Sequence, residues 1–78
     1  MNDEDRFDWD GFFYDLNTKR LQRWASWKDV SEQSRVTASS LTRLEQGKTL
    51  TVENLARLLL WSGLSFDTYV YMIHVAFA

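Results

Sequence analysis

Three residues punctuate the segment from Ser26 to Gly47 and fix what it can form. Ser26 is a helix-capping residue with Asp29 three positions on, a weak capping box. Thr37 is a second hydroxyl cap, and Gly47 suits a left-handed helix stop. These marks predict a helix of about eight residues after Ser26, a tight turn, and a second short helix from Thr37 to about Gln46. Leu41 and Leu44, at i and i+3, face inward on the second helix, whereas only Val30 is strongly apolar on the first.

The remaining chain also reads as helical, with no proline, repeat or low-complexity tract. A first helix is expected from Asp8 or Asp10 to Trp24, with Phe13, Leu16, Arg20, Leu21 and Trp24 on one face. Asp8 and Asp10 suit its positive end, and Lys19, Arg20 and Arg23 its negative end. Thr51 caps a further helix through about Trp61, with Val52, Leu55, Ala56, Leu58 and Leu59 inward, stopped at Ser62-Gly63. Ser65 is expected to cap a last helix from Phe66 toward Phe77, with Phe66, Tyr69, Val70, Ile73 and Phe77 in one stripe. The Val, Tyr and Ile content there leaves a C-terminal strand as the alternative. The fold expected is all-α and five-helical, one domain over residues 1–78, with residues 1–7 a flexible acidic tail and 66–78 a terminal helix.

Composition narrows the function. The 78 residues make one small domain whose core is marginal. No cysteine is present, which excludes disulfides and thiolate metal sites. His74 has no partner in a metal-ligand spacing, and no nucleophile–base pair is visible, so no metal, cofactor or enzymatic activity is expected. No apolar run reaches about 18 residues and no leader is apparent, so the expected location is the cytoplasm, with no membrane partner. The net charge of −2 is unevenly spread. Residues 1–16 carry −5, and residues 17–57 carry eight Lys/Arg against four Asp/Glu, a net of +4. Salt screens charges beyond roughly 10 Å, so the local +4 matters more than the total for a nucleic-acid partner.

Two short helices around a tight turn, the second opened by Val36-Thr37 and closed by Leu44-Glu45-Gln46-Gly47, is the layout of a helix-turn-helix at about residues 27–46. From roughly Phe12 to Tyr71 the chain resembles the lambda-repressor-like family, the compact five-helix DNA-binding domains of phage repressors, Cro proteins and bacterial regulators. The carrying residues are Val36-Thr37-Ala38-Ser39-Ser40-Leu41-Thr42-Arg43-Leu44-Glu45-Gln46-Gly47-Lys48, then Leu55-Ala56 and Leu64-Ser65-Phe66-Asp67. The resemblance implies an Arg20–Glu45 pair that fixes the first helix against the third. The chain departs from the family's pattern at Trp27, where Gln is common, at Arg35, where Gly is common in the turn, and at Ser31 and Ser34, where Ala and Leu are usual. Trp27 is either a phosphate donor through its indole N–H or a half-buried packing residue.

The resemblance further implies double-stranded DNA as partner, with the second helix of the motif in the major groove. Ala38, Ser39, Thr42 and Arg43 are the candidate base contacts. Arg43 alone discriminates strongly, because a guanidinium binds guanine O6 and N7 bidentately; the alternative for it is a phosphate contact or a solvated charge. Ser26, Trp27, Ser40, Lys48 and Arg35 are candidate phosphate contacts. The apolar surplus after Phe66 points to a homodimer, at least on the operator, through Tyr69, Ile73, Val75 and Phe77; the alternative is a self-packed terminal helix. The function expected is a small phage-type repressor or Cro-like transcriptional regulator acting by operator occlusion in a host cytoplasm. The other reading is a protein-interaction module, partnering an antirepressor or toxin on the same scaffold.

Overall fold

The computed structural model describes residues 6–71. Its order is β1 (Arg6–Phe7), α1 (Trp9–Gln22), α2 (Trp27–Ser34), α3 (Ala38–Glu45), α4 (Val52–Ser62), a 3-10 turn (Phe66–Tyr69) and β2 (Val70–Tyr71). The chain is mostly helical, as expected.

Local chemistry sets each helix start. The Asp8 carboxylate accepts from Gly11 N–H at 3.0 Å and caps α1. Ser26 and Asp29 complete a reciprocal capping box on α2, at 3.0 and 2.9 Å. Thr37 and Thr51 cap α3 and α4 by accepting from the amides of Ser40 and Asn54. The helix ends are equally legible. Gly47 and Gly63 hold φ of 80° and 76° at the stops of α3 and α4.

The core is built from Phe12 and Leu16 of α1, Val30 of α2, Val36 in the turn, Leu41 and Leu44 of α3, and Leu55 and Leu58 of α4. Two inward assignments are corrected. On α1 the buried residues are Phe12 and Leu16, whereas Leu21 and Trp24 are 58% and 95% exposed. Apolar side chains fall on every side of α1, so periodicity alone selects the wrong stripe. On α4 Val52 is exposed, because it lies in the first turn beyond the reach of the core, and Ala56 is exposed too.

The ends of the described chain differ most from expectation. Ser65 makes no side-chain cap, and residues 66–71 form a single 3-10 turn and a strand rather than the start of a fifth helix. Met72 to Ala78 lie outside the described residues. Arg6 and Phe7, expected in a flexible tail, pair antiparallel with Tyr71 and Val70. Asp8 N–H donates to the Tyr69 carbonyl at 2.6 Å and extends this closure. Phe7 gathers the rings of Trp9, Phe12, Phe66 and Tyr69 at centroid distances of 4.6 to 5.7 Å. Beneath them Tyr69 is 4% exposed, and its hydroxyl donates to Asp15 of α1 at 2.7 Å. Burial first, then that bond, push its phenol pKa upward. A strand wins here because Val70 and Tyr71 favour extended backbone and β1 supplies the ladder partners.

Candidate nucleic-acid interface

The corner between α2 and α3 is held by two serines. Ser31 Oγ donates to the Val36 carbonyl at 2.6 Å, and Ser34 Oγ, buried, accepts from Val36 N–H at 3.2 Å. Ser34 therefore anchors the turn by hydrogen bonding, not by the packing that a Leu would supply. Directly after Ser34, Arg35 ends α2 in the left-handed region, at φ 64° and ψ 27°. Its carbonyl accepts from Arg57 Nη1 at 3.3 Å, and Arg57 is also paired with Glu53 at 2.7 Å. α4 thus ties down the turn.

This corner fixes how α3 is presented. Leu41 and Leu44 point into the core, and Ala38, Ser39, Thr42 and Arg43 form the opposite, exposed face. The hydroxyls on that side are partly engaged: Thr42 Oγ1 donates to the Ala38 carbonyl at 3.1 Å, and Ser39 Oγ lies 3.4 Å from Thr37 Oγ1. The side chains of Arg43, Arg35 and Lys48 are exposed and make no hydrogen bond or ion pair with other described residues. Ser40 is half-buried and accepts from Thr37 and Asn54. Ser26 is exposed at the start of α2, inside its capping box. The Ser26 N–H is the main cause holding the Asp29 carboxyl below its usual range.

Trp27 is half-buried against α1. Phe13 stacks on it at 5.4 Å, and the Arg20 guanidinium lies 4.7 Å from its ring centre. Its indole N–H makes no hydrogen bond to a described residue, so it packs and keeps a donor in hand.

The expected Arg20–Glu45 pair is not formed. Arg20 instead binds Asn17 Oδ1 through Nε and Nη2, at 3.0 and 2.7 Å, and the Ala25 carbonyl through Nη1 at 3.0 Å. It braces the α1–α2 corner, and Glu45 stays exposed on α3. A local carbonyl and amide have outcompeted a carboxylate on another helix. Glu45→Ala should therefore leave the unfolding free energy within about 0.5 kcal/mol of wild type, while Arg20→Ala should cost about 1–3 kcal/mol, read by thermal unfolding. An equal loss in both variants would restore the pair.

Two other expected sites move. Arg23, expected beside the negative end of α1, stacks on Trp61 at 4.7 Å and donates to the carbonyls of Trp61 and Ser62 at the end of α4. Tyr69, expected at a dimer interface, is enclosed within its own chain. Ile73, Val75 and Phe77 lie outside the described residues.

One feature gave no signal in the sequence. Trp24 occupies the left-handed position after α1, with φ 57°, where Ala25 N–H bonds the Arg20 carbonyl and Trp24 N–H the Leu21 carbonyl. That is a Schellman stop, which glycine normally fills. Arg35→Gly and Trp24→Gly should each raise stability by about 1 kcal/mol, by relieving a side chain at positive φ. Thermal denaturation checks this; no gain in either variant would mean that the side chains repay their strain.

Comparison with protein-family models, with curated proteins and with solved structures finds no match to this chain.

Proposed function

We propose that this chain is a sequence-specific double-stranded DNA-binding transcriptional regulator of the lambda-repressor-like kind, with α2, the Arg35–Thr37 turn and α3 as its helix-turn-helix. The observation that carries the reading is the outer face of α3. Four small or basic residues stand opposite two buried leucines, beside cations that no described residue neutralises. A helix of this width enters the major groove, where Arg43 meets base edges and Ala38, Ser39 and Thr42 make small, tolerant contacts. Ser26, the Trp27 indole, Ser40, Lys48 and Arg35 contact phosphates and set register. With so few long polar side chains on α3, discrimination per copy is modest. A symmetric dimer, placing two α3 helices roughly 34–36 Å apart on a palindrome, supplies the remainder. Binding represses by covering a promoter.

The exposure of Trp24 favours a second reading, a protein-binding surface on the same scaffold. Selection of bound sequences from random duplex DNA at two salt concentrations decides between them. The DNA reading expects enrichment of a short two-fold motif, and the protein-binding reading expects none.

A further inference from the structure

A cavity of about 280 Å³ opens between α1, α2 and α3. Phe13, Trp27 and Leu41 give it an apolar wall, and Ala38 and Thr42 form its α3 side. Its charged lining is lopsided: the carboxylates of Glu32 and Glu45 against the single ammonium of Lys28. Neither carboxylate is engaged by another described residue. Glu45 is available because Arg20, two turns along α1 from Phe13, is committed to Asn17 and Ala25.

We infer that this cavity is a binding site for a small aromatic ammonium compound. One aromatic ring with a short alkylammonium arm suits it: the ring lies against Leu41 and the edge of the Phe13–Trp27 stack, and the ammonium meets Glu32 and Glu45 at the mouth. The volume is just below the range of drug-sized pockets, so one or two rings fill it. The two unpaired carboxylates favour a cation over an anion of the same shape. Because Ala38, Thr42 and Trp27 belong at once to the cavity and to the proposed DNA face, an occupied cavity opposes DNA binding. This second half rests on the proposed function.

The test uses the full chain and three probes of like shape: 2-phenylethylammonium, 2-phenylethanol and phenylacetate. Binding is followed by NMR at the Trp27 indole N–H, assigned with Trp27→Phe. The ammonium should bind with a Kd of about 1 mM, in keeping with its few atoms, and phenylacetate at least about tenfold more weakly. The double variant Glu32→Gln, Glu45→Gln should bring the ammonium down to the affinity of the alcohol. Equal binding of cation and anion, or no saturable shift at Trp27, overturns the site whether or not the protein binds DNA. Saturating ammonium should weaken binding to a selected duplex in proportion to its occupancy. Binding at Trp27 without any effect on DNA affinity overturns the competition and removes Ala38 and Thr42 from the DNA face.

Discussion

Affinity for duplex DNA is expected to fall about fortyfold per bound copy between 50 and 200 mM salt. Each phosphate neutralised releases condensed counterions, and the slope of log affinity against log salt is about −0.9 per contact. Arg35, Arg43 and Lys48 have no ionic partner among the described residues, and Lys28 is exposed at the start of α2. With Arg43 reserved for a base edge, about three phosphate contacts per copy give a slope of about −2.7 for each copy bound. Arg20, Arg23 and Arg57 add no phosphate contact, because each is held by the protein's own carbonyls, amides or carboxylates. Equilibrium titration by fluorescence anisotropy at several salt concentrations reads the slope directly. A slope near zero would remove the electrostatic basis of DNA binding.

The second large effect concerns the closure of the chain ends. Phe7→Ala should cost about 2–4 kcal/mol, a lowering of the melting temperature by roughly 10–25 °C for a domain of this size. Four aromatic neighbours lose their common partner, and Tyr69 loses the ring beside it. Its magnitude is large against the few kcal/mol that a core this small supplies. Residues 1–7 acting as a tail would instead give a change within about 0.5 kcal/mol, the range of ordinary surface substitutions. Differential scanning calorimetry distinguishes the two outcomes.

These two expectations mark where local sequence rules succeed and where they stop. The caps at Ser26, Thr37 and Thr51 and the stops at Gly47 and Gly63 lie where the residues predict, because a cap is decided by the chemistry of three or four adjacent residues. Leu41 and Leu44 are buried as expected, since α3 has few apolar residues and hence one choice of inner face. α1 has too many, and Phe12 could be told from Phe13 only by knowing what packs against it. The β1–β2 pairing and the Tyr69–Asp15 bond join opposite ends of the chain, and no periodicity within either segment announces them. Arg20 shows the same limit at one residue. Its choice of Asn17 and Ala25 over Glu45 is a contest between groups that only the folded corner brings together.

At the candidate interface, the exposed face of α3 was legible because it is the complement of its buried leucines. The use of Ser31 and Ser34 to pin Val36 was not, because a serine among polar residues reads as solvated. Nor was the open cavity beside α3, which residues of three helices line together.

The claim that α3 reads base sequence is tested most directly by comparing Arg43→Ala with Lys48→Ala on a selected duplex and on random DNA. Arg43→Ala should lose about 1–3 kcal/mol on the selected duplex, relax preference at one base pair per half-site, and lose much less on random DNA. Lys48→Ala should weaken both duplexes alike and flatten the salt slope by about one unit. Equal losses on both duplexes for Arg43→Ala would make Arg43 a backbone contact and contradict the assignment of base reading to α3's one discriminating side chain.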